Sequence, residues 1–126
     1  MVDNYSNCVF CGDGLKVIKE SIHSLAFYDT FPVSKGHVLI IPKDHYETYF
    51  DLPIEVRNDM LALLDEMKLR LDAELKPAGF NIGINSGAAA GQTVFHCHIH
   101  LIPRYKNDMQ DPRGGVRGVI PEKQKY

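Results

Sequence analysis

Phe95-His96-Cys97-His98-Ile99-His100-Leu101-Ile102-Pro103 carries an imidazole at every second position of its first half. Successive side chains of an extended chain point to opposite faces, so His96, His98 and His100 share one face and Cys97 and Ile99 the other. The alternation predicts a strand over Phe95–Pro103. Alternate residues stand roughly 6.6 Å apart on a strand, so His96 and His100 are separated by roughly 13 Å. Zinc–nitrogen bonds are about 2.0–2.1 Å, so one ion could draw in two neighbouring imidazoles but hardly all three. Three imidazoles in a row are also costly to bury without a task. A neutral imidazole is a good nucleophile toward phosphorus near pH 7 and a good leaving group afterwards. Just upstream, Gly91-Gln92-Thr93 places a glycine for close backbone approach, then an amide and a hydroxyl as donors to a charged oxygen.

Working outward, alternating segments predict strands at Lys16–Lys19 and His23–Tyr28, then a turn through Pro32–Gly36. His37–Ile41 is nearly all apolar and rich in β-branched residues, as a strand covered on both faces would be. From Ile54 to Leu75 the residues Met60, Leu64, Met67, Leu71 and Leu75 recur at helical spacing, and Pro77-Ala78-Gly79 stops the run. Leu61, Leu63 and Leu69 fall off that stripe and suggest a second apolar face, hence a partner surface. Phe80–Asn85 reads as a strand, Ser86–Gly91 as a small-residue loop, and about 104–126 as an irregular C-terminal tail. The pattern predicts an α+β domain: an antiparallel sheet of about five strands with one long helix and a short one.

With 126 residues and 14.2 kDa, a single domain spanning 1–126 is expected. The formal net charge is −2 and the pI about 6.3, which excludes a broad, charge-driven nucleic-acid or membrane surface. No apolar run is long enough to span a bilayer, and Met1-Val2-Asp3-Asn4 lacks the shape of a signal peptide, so a cytoplasmic protein is expected. Cys8, Cys11 and Cys97 make an odd count without an export signal, which reads as reduced thiols. The two-residue gap in Cys8-Val9-Phe10-Cys11 suits one metal ion gripped from a tight turn. One such pair is half a site, and two ordinary near-surface cysteines would read the same way.

Gly36-His37-Val38-Leu39-Ile40-Ile41-Pro42-Lys43-Asp44-His45, then Asn85, then Gly91-Gln92-Thr93-Val94-Phe95-His96-Cys97-His98-Ile99-His100-Leu101-Ile102 together resemble the histidine triad superfamily of nucleotide hydrolases and transferases. The tail Asp111-Pro112-Arg113-Gly114-Gly115-Val116-Arg117 is similar to that of its prokaryotic diadenosine-polyphosphate-hydrolase-like branch, although Gly118 stands where relatives commonly carry a bulky aromatic. The resemblance implies that His98 attacks the α-phosphorus of a nucleotide, with His100 and His37 lining the phosphate pocket. Gln92, Thr93 and Asn85 would contact phosphate or leaving group, Asp29 would bind ribose hydroxyls, and Phe10 and Phe27 would flank the base. It further implies a structural zinc on Cys8, Cys11, His45 and His96, no organic cofactor, and a homodimer paired through the long helix and a neighbouring strand.

The implied substrates are dinucleoside polyphosphates or related nucleotide conjugates, cleaved through a nucleotidyl-histidine intermediate. A nucleoside phosphoramidase shares the same first step. A third reading, from another class, is a zinc-stabilised nucleotide-binding module with little turnover.

Overall fold

The structure, a computed structural model, describes residues 7–126. The chain runs through β1 (Val17–Glu20), β2 (Ser24–Tyr28), β3 (Val38–Pro42), the helix α1 (Ile54–Leu75), β4 (Gly79–Ile84) and β5 (Ile99–Arg104), with short 3-10 turns between and after them. The strands form one antiparallel sheet in the order β1-β2-β3-β5-β4. The α+β architecture is the expected one. β5 lies inside the sheet, with His100 opposite Leu39 of β3 on one side and Gly83 of β4 on the other.

Most strand ends shift by a single residue from the sequence reading, and one differs by more: β5 begins at Ile99, not at Phe95. A strand persists only where a neighbour offers partners, and the last pairs are Ile40↔Ile99 on β3 and Ile84↔Ile99 on β4. Beyond them the Cys97 N–H donates to the Tyr46 carbonyl at 2.7 Å instead. The alternation survives the loss of pairing. Cys97, Ile99 and Leu101 are buried in the core beneath the helix, while the imidazoles turn to the opposite face. Burial lifts the Cys97 thiol to about 12, so it is a packing group rather than a nucleophile.

Helix α1 has the predicted bounds. Lys76 ends it in the left-handed conformation at φ 49°, and Pro77, without an N–H, cannot continue it. Val56, Met60, Leu63, Leu64, Met67 and Leu71 are its buried residues. Leu63 therefore belongs to the core stripe, because three residues from Met60 and four from Met67 is the spacing of one helical face. Leu61 and Leu69 do lie off it, 37% and 66% exposed. Asp59 ties the helix to the β1–β2 turn, accepting from the hydroxyls of Ser21 and Ser24 and the His23 N–H. Among the described residues, no helix is long and apolar enough to cross a membrane.

A smaller cluster covers part of the sheet face away from α1. Phe27, Leu39 and Ile41 are buried there, with Phe10, Leu15 and Leu25 packed against them. The tail departs from the expected irregularity. Arg104 closes β5, and the chain beyond it forms 3-10 turns at Gly115–Val119 and Pro121–Lys123. Arg117 fastens these turns by donating to the carbonyls of Lys123 and Gln124.

Candidate active site

The main chain fixes the tautomers of His37, His96 and His98, and His37 in turn fixes that of His100. His98 Nδ1 stands 2.9 Å from the His96 carbonyl oxygen, which can only accept, so Nδ1 carries the proton and the lone pair is on Nε2. His96 Nε2 stands 2.8 Å from the Pro42 carbonyl and must likewise be the donor, which leaves Nδ1 with the lone pair. His37 is set the opposite way. Its Nδ1 accepts the Val33 N–H at 3.0 Å, so the proton of the neutral ring sits on Nε2 and is donated to His100 Nδ1 at 2.9 Å. His100 then carries its proton on Nε2. Burial lowers the pKa of His37 and takes that of His100 to about 4, with neighbouring His98 and His37 lowering the latter further. Both rings are neutral at pH 7, so the 3.5 Å approach of Asp29 to His37 is not an ion pair there.

His98 and His100 open into a cleft of about 470 Å³ on the sheet face opposite α1. Phe10 and Phe27 line it, edge to face at 5.4 Å, and Phe10 also meets the His98 ring edge to face at 5.2 Å. Asp29, Asn85 and Thr93 reach the same cleft, as the sequence reading requires of nucleotide contacts. Asp29 is held by the Phe31 N–H at 2.9 Å on Oδ1.

Gln92 has a task other than the expected phosphate contact. It is buried, and its amide is fully engaged: Oε1 accepts the Gly87 N–H, while Nε2 donates to the carbonyls of Glu47 and Val94. No donor remains for a ligand. Gln92 instead pins the 87–94 loop that presents Gly91 and Thr93 to the cleft.

Cys8, Cys11, His45 and His96 bring four donor atoms within 4.8 Å of one another. Cys8 Sγ is 3.5 Å and Cys11 Sγ 3.3 Å from His96 Nδ1, and Cys11 Sγ is 3.3 Å from His45 Nδ1. Tetrahedral zinc with ordinary Zn–S and Zn–N bonds gives S···N edges of about 3.5 Å, so the donors already stand at the required spacing. The Pro42 carbonyl turns the lone pair of His96 toward them, the usual outer support of a ligating histidine. These four residues fit a closed zinc site. Asp29, His37 and His100 also cluster within 4.8 Å. There the Val33 N–H forces the proton onto the His37 nitrogen that would have to ligate, so this group does not fit a metal.

Sequence reasoning missed the backbone of Val33, Pro42 and His96, which orients the imidazoles, because side-chain chemistry carries no mark of a carbonyl's direction. It also missed a second cleft of about 580 Å³, bounded by His37 and His100 on one side and by Val116 and Val119 of the tail on the other. Its signal was Val116 and Val119, which with Met109 and Ile120 are the aliphatic residues and methionine of a largely polar tail.

The chain belongs to the HIT-domain family, whose model matches residues 14–107. It is 42% identical over 112 residues to the adenylylsulfatase HINT3 of Arabidopsis thaliana, covering 82% of this chain and 55% of that protein. It is 34% identical over 114 residues to the adenosine 5'-monophosphoramidase HNT1 of Candida albicans, covering 80% of this chain and 72% of that protein. Among solved structures it is similar to a zinc-bound histidine triad family protein from Mycobacterium smegmatis. The TM-score is 0.75 and the identity 38%, over 82% of this chain and 79% of that one.

Proposed function

We propose that the chain hydrolyses nucleotide conjugates at the α-phosphate, in two displacements through a nucleotide carried on His98. The observation that carries this reading is the His98 Nδ1–H bond to the His96 carbonyl, which leaves Nε2 as the nitrogen with no main-chain partner to donate to, on a residue lining the cleft. In the first displacement this pair forms an N–P bond. The bond from phosphorus to the leaving group breaks, and its electron pair goes to the leaving atom, which takes a proton from water. In the second, a water oxygen attacks phosphorus, the N–P pair returns to Nε2, and a proton is released. Together the steps consume one water, with its hydroxyl on phosphorus and its hydrogen on the leaving group.

His100 Nε2–H and the Thr93 hydroxyl stabilise charge developing on the phosphoryl oxygens, and His37 holds His100 in that tautomer. Phe10 and Phe27 flank the base, Asp29 receives ribose hydroxyls, and Asn85 meets phosphate or leaving group. Substrates are dinucleoside polyphosphates or nucleotides with a substituted α-phosphate, phosphoramidates included. The relatives' names, an adenylylsulfatase and an adenosine 5'-monophosphoramidase, support action at a nucleotide α-phosphate. A binding module without turnover has no use for so deliberate a set of tautomers.

Zinc on Cys8, Cys11, His45 and His96 would cross-link the N-terminal segment, the stretch after β3 and the histidine run, a structural role. Thiolate ligands suit a reducing compartment such as the cytoplasm. Two copies pair through α1, by way of Leu61 and Leu69, and through the outer edge of β4, unpaired among the described residues, where Ile82 is 51% exposed.

The test is rapid quenching of turnover with an adenosine phosphoramidate labelled at phosphorus. Label should appear on His98 and vanish in His98→Ala, which should lose several orders of magnitude in turnover while still binding AMP. Label mapped to any other residue refutes the reading.

A further inference from the structure

The turn 8–11 belongs to two sites at once. Its ends carry the thiols of the four-donor cluster, and Phe10, between them, is a wall of the nucleotide cleft. The Cys11 N–H donates to the Cys8 carbonyl at 3.1 Å, which closes the turn and ties both thiols to the placement of the ring. Ring centre to ring centre, Phe10 meets His98 at 5.2 Å, Phe27 at 5.4 Å and His96 at 6.0 Å. A change at the thiols is therefore felt by the ring that faces His98.

The turn is held by side chains. Among the described residues, no main-chain hydrogen bond joins 7–16 to the sheet. The ties are Cys8 and Cys11 against His96, Cys11 against His45, and Phe10 and Leu15 packed on Phe27, Leu39 and Ile41. Cys11 is exposed, and its sulfur lies within 4.8 Å of that of Cys8. A disulfide needs about 2.05 Å between sulfurs, a closure that two cysteines three apart in a turn can make.

Such a closure would undo the tie to the sheet. His96 is fully buried, and the Pro42 carbonyl leaves its Nδ1 lone pair aimed at the two sulfurs. Thiols can donate to that lone pair, and thiolates can share a metal with it. A disulfide does neither, because it has no S–H and no anionic sulfur. The buried nitrogen is then left without a partner, and water reaches it as the turn lifts. Cys97, buried in the core beneath the helix, is shielded from the same oxidant.

We propose that Cys8 and Cys11 form a thiol switch on the nucleotide cleft, which seats Phe10 when reduced and unseats it when a peroxide oxidises the pair. The Cys11 sulfur attacks one peroxide oxygen, the O–O bond breaks, and hydroxide leaves with the electron pair. The Cys8 sulfur then attacks that of Cys11, forming the S–S bond and expelling a second hydroxide. Two thiolates and one peroxide become one disulfide and two hydroxides, with two electrons passed to the peroxide. The metal shared with His45 and His96 is released, and a dithiol reverses the step. This rests on the cleft and zinc readings above.

The test treats zinc-loaded protein with hydrogen peroxide, removes the excess with catalase, and titrates AMP by calorimetry before and after. The oxidised chain should show a link between Cys8 and Cys11 by peptide mass and yield its zinc to a chromogenic chelator. It should bind AMP about tenfold more weakly, the scale of one aromatic face on a base. Dithiothreitol followed by zinc should restore the affinity. Phe10→Ala should start about tenfold weaker and lose nothing further on oxidation. Phe10→Leu, which keeps an apolar side chain in the cluster, should likewise lose nothing further. Affinity unchanged once the link has formed, oxidation elsewhere in its place, or a loss that dithiol and zinc do not reverse overturns the proposal. So does a further loss in both Phe10 variants as large as that of wild type. Failure of the reduced, zinc-loaded protein to bind AMP would instead overturn the reading on which it rests.

Discussion

Acidification should weaken the fold through His100. Burial, reinforced by His98 and His37, holds its imidazole at about 4 against 6.5 in the unfolded chain. A base with a depressed folded pKa gains its proton first in the unfolded state. Above about pH 6.5 both states are neutral and the group contributes no slope. Between 6.5 and 4 the unfolded chain binds the proton and the folded chain does not, so stability is lost as pH falls through that window. At about pH 5 the loss is RT ln[(1 + 10^1.5)/(1 + 10^−1)], or about 2 kcal/mol, an upper figure for a ring that keeps some contact with water. His37, also lowered by burial, adds in the same direction. Urea unfolding of wild type and His100→Asn at about pH 7 and pH 5, with zinc saturating, isolates the His100 part, because both proteins lose the same amount from the metal ligands. Wild type should lose about 1–2 kcal/mol more than the variant. Equal losses would refute the argument that burial, rather than solvent, sets the charge of His100.

Purified protein should hold about one zinc per chain, and Cys8→Ala should release it and lower the melting temperature; metal analysis after careful reconstitution that finds none removes the four-ligand assignment. Leu61→Glu and Leu69→Glu should convert a dimer to a folded monomer by light scattering, whereas Leu63→Glu, buried in the core, should unfold the chain; a stable wild-type monomer at micromolar concentration would sink the dimer. Gly36→Ala should cost roughly 2–3 kcal/mol, because φ is +89° and the new Cβ would meet Leu75 Cδ1 at 2.5 Å; calorimetry showing less than about 1 kcal/mol would mean that Leu75 swings clear.

The parts legible in the sequence were those fixed by local rules. Helix α1 was readable end to end because its stop, Lys76 followed by Pro77, lies in the chain itself. The shared face of the three histidines was readable because side-chain alternation needs only an extended backbone. The start of β5 was not, since it depends on where β3 and β4 run out of partners. Leu63 was misplaced because the width of a helix's buried stripe is set by the sheet it meets. Gln92 was read as a phosphate donor because its amide could serve either purpose; only the positions of Gly87, Glu47 and Val94 decide which. The tail looked irregular because its order rests on side chains that reach across six to eleven residues, Arg117 to the carbonyls of Lys123 and Gln124 and Gln124 back to Arg113.

The imidazoles differ in chemistry although the sequence writes them alike, and the difference comes from three main-chain groups. The Pro42 carbonyl turns Nδ1 of His96 toward the two cysteines, the His96 carbonyl leaves Nε2 of His98 free for the proposed attack on phosphorus, and the Val33 N–H compels His37 to be a donor to His100. Exchanging the polarity of any one would exchange the role of its ring: a donor in place of the Pro42 carbonyl would turn the His96 proton toward the thiols. Pro42, which lacks an N–H, presents only its carbonyl to the main-chain and side-chain donors around it. The spacing of the histidines therefore sets where the rings stand, and the backbone they pass sets what each can do.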